Sequence, residues 1–65
     1  MTIKPGGLVE NLALIREYDR RLRPTEIPTG TLGVVTGVDD IYVTVMFLQP
    51  LYESITVARQ LRVLA

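Results

Sequence analysis

The stretch from Gly30 to Phe47 constrains this chain more than any other. It reads Gly-Thr-Leu-Gly-Val-Val-Thr-Gly-Val-Asp-Asp-Ile-Tyr-Val-Thr-Val-Met-Phe. β-Branched residues dominate it, and apolar side chains recur with a period of two, as a half-buried strand requires. The predicted structure is a hairpin that turns at Asp39-Asp40. One face carries Leu32, Val34, Val38, Ile41, Val43, Val45 and Phe47, broken only by Thr36. A two-residue loop pairs Val38 with Ile41, Val34 with Val45 and Leu32 with Phe47. A four-residue loop over 37–40 shifts each pair by two and keeps the same face. The opposite face carries Thr31, Gly33, Val35, Gly37, Tyr42, Thr44 and Met46. The two-residue register sets Gly37 against Tyr42 and Gly33 against Met46, small against large. Two glycines four apart in one strand predict strong coiling, as small closed barrels need.

The chain has 65 residues, enough for one domain over 1–65, with no cysteine and no histidine. A domain this short buries only about 60% of its unfolded surface, and neither a disulfide nor a structural zinc supports it. Hydrophobic residues are 48% of the chain. A small domain cannot hide them all, so some apolar surface is expected to lie against a protein partner or a second copy. Seven basic and seven acidic residues leave no net charge to attract a polyanion. No apolar run is long enough to span a bilayer, and the N-terminus has no signal-peptide core. A cytoplasmic origin is the expectation.

Lys4-Pro5-Gly6-Gly7 reads as an opening turn. Leu8 to Ile15 reads as the first strand, with Val9 and Leu12 inward; both parities are apolar, so it has a bulge or two covered faces. Two readings are open for 16–29. One is a long excursion stiffened by Pro24 and Pro28, functional or packed on itself. The other is a helix over 12–23, capped by Asn11 and ended before Pro24, with Ile15, Tyr18 and Leu22 on one face. After the hairpin, Leu48 to Glu53 reads as a connection. Ser54 to Ala58 is the next strand, with Ile55 and Val57 inward. Arg59-Gln60 is a 3-10 turn, and Leu61 to Leu64 is the last strand, with Leu61 and Val63 inward.

The segments Lys4-Pro5-Gly6-Gly7-Leu8-Val9, Gly33-Val34-Val35, Tyr42-Val43-Thr44-Val45-Met46-Phe47 and Leu61-Arg62-Val63-Leu64 together resemble an SH3-like small barrel. The order is similar to KOW-type barrels and to the small SH3-like proteins of tailed phages. Those often show a Gly-Asp-Leu-Val opening, a Gly-Val-Val strand, a Val-x-Val-x-Phe/Trp strand and a Leu-x-Val ending. Here Gly7 stands in place of the aspartate, and Phe47 stands where tryptophan is frequent. The resemblance implies an all-β, five-stranded barrel with a long first connection over 16–29. It also implies a virion component, or a KOW-like nucleic-acid-binding module. It does not carry function by itself.

Arg16, Arg20, Arg21 and Arg23 are candidates for a polyanion or protein contact. Glu17, Asp19 and Glu26 lie among them and leave residues 16–26 at +1. Only Tyr18 is nearby for stacking. Asp39-Asp40 reads as a solvated turn rather than a pair of metal ligands. Ser54 is the only serine and Lys4 the only lysine. The carboxylates cluster at loops and not beside Ser54, so catalysis lacks a base for its one nucleophile. The expected function is non-enzymatic, with no cofactor, metal or small-molecule substrate. It is that of a structural or interaction subunit, or an adaptor or inhibitor binding one host protein. Val35, Tyr42 and Met46 on the hairpin's second face form one candidate partner interface. Leu48, Leu51 and Tyr52, on a loop beside Pro50, form the other.

Overall fold

The computed structural model describes residues 2–65, and among them there is no α-helix. Seven strands follow one another: β1 (Leu8–Asn11), β2 (Ile15–Tyr18), β3 (Pro24–Ile27), β4 (Leu32–Val38), β5 (Tyr42–Leu48), β6 (Leu51–Val57) and β7 (Leu61–Val63). A 3-10 turn, Ala58–Gln60, links the last two. Five strands form an antiparallel sheet in the order β6-β5-β4-β1-β7, and β2-β3 forms a separate two-stranded sheet. The all-β expectation holds, but the sheets do not close into a five-stranded barrel. The 3-10 turn carries the chain past the edge of β6 to the far side of β1, so β6 and β7 remain two free edges.

The central hairpin forms, but its two strands do not share the predicted face. Val38 pairs with Val43 and Gly37 with Thr44, then Val35 with Val45, Val34 with Met46 and Gly33 with Phe47. Thr36 has no residue opposite it. This bulge reverses the parity of β4 below it. Val35 and Gly33 therefore face the core with Val45 and Phe47, while Val34 and Leu32 face outward. The β5 face, Val43, Val45 and Phe47, is as predicted. Asp39 N–H donates to the Tyr42 carbonyl at 2.8 Å, so the tip of the turn is Asp40-Ile41 rather than Asp39-Asp40. Gly33 does lie under a large side chain, but it is Phe47 rather than Met46. A Cβ at Gly33 would stand 2.5 Å from Val45 Cγ1 and 3.1 Å from Phe47 Cδ1. Gly37 sits opposite Thr44 rather than Tyr42.

The first predicted strand is two. Asn11 turns inward where Leu12 was expected, and its amide bonds end β1. Leu12 is left half-exposed. The excursion over 16–29 is neither a helix nor an irregular loop. It is the β2–β3 hairpin, with Ile15 opposite Ile27 and Tyr18 opposite Pro24. Ile27 is fully buried, which anchors this hairpin in the main core. The connection expected over 48–53 is only the two-residue turn Gln49-Pro50, whose peptide bond is cis. Leu48 already pairs with Leu51, so β6 begins three residues before the predicted strand. Ser54 lies opposite Val45 and faces the core; Ile55 faces outward, contrary to its predicted inward place. Val57 is half-buried on that outer face. The last strand is as predicted, with Leu61 buried and Val63 packed against the core.

The core is small: Val9, Ile27, Val35, Val43, Val45, Phe47 and Leu61, with Ile3, Ile15, Tyr52 and Val63 packed against it.

Candidate functional site

Cross-strand registration gathers several large apolar side chains on the outer face of the large sheet, with Thr44 and Glu53 among them. Directly opposed side chains in an antiparallel pair project to the same side. On the outer side Leu51 faces Leu48, Met46 faces Val34, and Val57 faces Tyr42. Ile55 stands among them opposite Thr44. Leu51 is 74% exposed and Ile55 64%, and Tyr42, Leu48 and Leu32 are each about half exposed. Leu48 and Leu51 thus lie on the same side of the sheet as Tyr42 and Met46, although the sequence assigned them to two separate patches. Val35 does not belong to it. It is 1% exposed and lies in the core, because the bulge at Thr36 turned it inward. Ile55, Leu32 and Val34 belong to the face and were assigned to the core. The signal that could have shown this for β4 is that both its parities carry apolar residues, and for β6 that Ser54 and Thr56 make the parity of Ile55 the more apolar without saying which side is buried.

Tyr52 is not an open loop residue either. It sits opposite Phe47 on the inner side of β6, half-buried against the core. Its hydroxyl donates to Glu17 Oε2 at 3.2 Å, and the Ser54 hydroxyl donates to Glu17 Oε1. The expectation that no carboxylate stands beside Ser54 is therefore wrong. β2 and β6 are distant in sequence, and folding brings Glu17 over Ser54. Partial burial, and then the Glu17 carboxylate, push the Tyr52 phenol above its ordinary pKa. Neutral Tyr52 is the form the fold favours, so its contribution is present below the usual phenol pKa and fades as pH rises through the raised value. With Ser54 2% exposed and its hydroxyl committed to a carboxylate, this cluster ties the small hairpin to the large sheet. Replacing Glu17 by Ala strands a buried hydroxyl and is expected to cost about 1.5–3 kcal/mol, since bonds to charged groups are the stronger ones. Amide hydrogen exchange in β2 and β3 should accelerate more than in β4 and β5. Equal acceleration across both sheets would refute a local tether.

The arginines of the β2–β3 hairpin are mostly engaged. Arg16 Nε donates to Glu26 Oε2 at 2.8 Å, and Arg23 Nε to Asp19 Oδ2 at 3.1 Å. Arg20 and Arg21, in the tip, make no ion pair among the described residues. Asp19 organises that tip. Its Oδ1 accepts the backbone N–H of Arg21 at 2.8 Å and of Arg23 at 2.9 Å. The bond from Arg23 N–H, followed by that from Arg21, holds the Asp19 carboxyl below its usual pKa. The cap is intact at neutral pH and is lost as pH falls through that lowered value.

Two unpaired arginines and one neighbouring exposed aromatic, Tyr18, make a poor phosphate groove. Affinity for any DNA or RNA is expected to be weaker than about 1 μM near physiological salt. Tighter binding in a fluorescence-anisotropy titration, with a steep salt dependence lost on changing Arg20 and Arg21 to Ala, would reverse that ranking.

Among the described residues, no three His, Cys, Asp or Glu side chains gather as metal ligands would, and no helix is long and apolar enough to cross a membrane. Asp39 and Asp40 stand in the β4–β5 turn, where Asp39 Oδ1 accepts the Asp40 N–H at 2.8 Å. Comparison of the chain with family models, with curated proteins and with solved structures finds no match.

Proposed function

We propose that this protein is a non-enzymatic assembly subunit built on an SH3-like strand order left open rather than closed into a barrel, and that it works by packing the outer face of its large sheet against another protein. The order β6-β5-β4-β1-β7, a hairpin in the first long connection and one 3-10 turn before the last strand support the SH3-like reading. The observation that carries the function is the exposure of Leu32, Leu48, Leu51, Ile55, Tyr42 and Met46 together on the outer side of the large sheet, with Thr44 and Glu53 among them. A solvated sheet face ordinarily alternates to polar residues. This one holds Thr44 and Glu53, yet six large apolar side chains stand around them, and a surface of that kind marks a protein contact. The buried, carboxylate-bound Ser54 and the lack of histidine and cysteine support a role without catalysis. The resemblance to small tailed-phage proteins adds a setting, a virion component that decorates or joins other subunits.

The double change Leu51→Ser, Ile55→Ser tests the reading. Both side chains project from the outer face, so thermal unfolding of the isolated domain should move by only a few degrees, as surface changes do. Assembly, followed as solution mass against concentration or as retention of the natural partner, should weaken at least tenfold if these are anchors of the contact. A structure of the working assembly with both side chains in water would end the proposal.

A further inference from the structure

At the end of the molecule formed by the β4–β5 turn and the 3-10 turn lies an open groove of about 780 Å³. Val43, Leu61 and Val63 line its depth and Ile3, Val38 and Ile41 its sides. Asp39 and Asp40 stand on its rim, and neither carboxylate makes an ion pair among the described residues. Arg59 and Arg62 line the groove as well; Arg62 is paired with Glu10, and Arg59 makes no ion pair among the described residues, which leaves the groove's unpaired charges at one cation against two carboxylates.

The other end of the molecule carries a matching knob. Leu22, at the tip of the β2–β3 hairpin, is 79% exposed, more than any other large apolar residue described. Its φ is +59°, a left-handed conformation that is uncommon for leucine. The Asp19 cap closes the turn around it. Arg20 and Arg21, unpaired, precede it. The β2–β3 hairpin meets the large sheet at Tyr52, whose hydroxyl touches Glu17 and the Tyr18 carbonyl. Tyr52 and the groove end of β6 at Val57 are five residues apart, about 17 Å of extended strand. The molecule is 34 Å long. An apolar knob flanked by two cations and an apolar groove with a net negative rim, Asp39 and Asp40 against Arg59, none of them ion-paired among the described residues, thus lie toward opposite ends of one elongated domain.

We propose that copies of this chain join head to tail, Leu22 of one copy seating in the groove beside Asp39 and Asp40 of the next, with Arg20 and Arg21 against those carboxylates. The two surfaces differ, so the contact is heterologous and each added copy presents a fresh groove or knob; such contacts build rings or filaments rather than closed dimers. This extends the assembly reading above to a second surface, separate from the sheet face.

The test uses the full chain in the Leu51→Ser, Ile55→Ser background, which silences the sheet face. Its mass is followed by sedimentation from roughly 10 μM to 1 mM, the range of modest contacts. The mass should rise past that of a dimer with concentration and fall with added salt. Leu22→Asn removes the knob with a residue that tolerates the left-handed conformation, and Asp39→Lys with Asp40→Lys reverses the rim. Each should retain its thermal midpoint and weaken association at least tenfold, about the effect of exposing one leucine. The decisive result is the equimolar mixture. The intact groove of the first variant accepts the intact knob of the second, giving a one-to-one dimer that grows no further. A background protein monomeric throughout the range overturns the proposal, and if the unaltered chain still associates then the sheet-face reading survives alone. Association unchanged in either variant, or a mixture that stays monomeric, also overturns it.

Discussion

Val45→Asp is expected to abolish folding. Val45 is 0% exposed, opposite Val35 on β4 and Ser54 on β6, at the centre of the core. A carboxylate there has no cation to pair with. The core consists of seven buried apolar residues. An unpaired buried charge belongs among the substitutions that cost more than about 4 kcal/mol, and a single core of this size rarely supplies more than about 3–5 kcal/mol in total. Circular dichroism of the variant should show no cooperative unfolding transition. Thr44→Asp, one residue earlier, is the control. Thr44 is half-buried on the outer face between Gly37 and Ile55. Its replacement should cost about 1 kcal/mol, the span of strand preferences, while impairing assembly through the sheet face. Equal loss of folding in both variants would show that the outer face is as much a part of the domain's core as the inner.

The second large effect is expected at Asn11. Its side chain is 0% exposed and all its polar atoms are used. Nδ2 donates to the Ala13 carbonyl at 2.9 Å and to the Ile27 carbonyl at 3.2 Å, and Oδ1 accepts the Thr31 N–H at 2.8 Å. One residue thereby holds the bend after β1, the end of β3 and the entry to β4. Asn11→Ala leaves three backbone groups without their partner. Each stranded group costs about 1–3 kcal/mol when buried, and solvent reaches some of these, so the total expected is about 3–5 kcal/mol. For a domain of this size that lowers the midpoint by roughly 12–40 °C. Asn11→Asp separates hydrogen bonding from volume. The carboxylate still accepts from Thr31 but turns its other oxygen on two carbonyls. Burial and that repulsion raise the folded pKa above the unfolded value, so the variant's deficit against the native chain should shrink as pH falls from the raised value to the ordinary aspartate pKa. A deficit independent of pH would mean that packing, rather than the amide's two donated bonds, accounts for the loss.

Asn11 also shows why part of this structure is invisible along the chain. A polar residue in an apolar run reads as a boundary or a cap, and in the helical alternative for 12–23 Asn11 is that cap. Its inward place depends on carbonyls at Ala13 and Ile27 that only the folded chain brings within reach. Ser54 is the same case. Between Glu53 and Ile55 it reads as an outward residue, and it faces inward because Glu17, thirty-seven positions away, accepts its proton. The hairpin over 15–27 was obscured by its arginines and carboxylates. Its strands are four residues long, too short for periodicity to register, and Arg16 and Glu26 pair with each other across them.

What the sequence determined by itself is the strand character of the chain and the buried face of β5. Alternation in Val43, Val45 and Phe47 is interrupted by Thr44, so one parity is plainly the more apolar. The turn at Gly6, the 3-10 step at Arg59-Gln60, which in the structure begins one residue earlier at Ala58, and the inward pair Leu61 and Val63 were legible for the same reason, each resting on local residue chemistry. The tertiary structure decided the face of β4, where both parities are apolar and pattern is silent. A single unpaired residue, Thr36, reversed it and put Val35 in the core and Leu32 and Val34 outside. It likewise decided that Ile55 lies on the outside of β6. Hydrophobic alternation selects a face only when one side of a strand is wet. Where both sides are apolar, hydrogen-bond register against the neighbouring strands makes the choice, and register is a property of the assembled sheet.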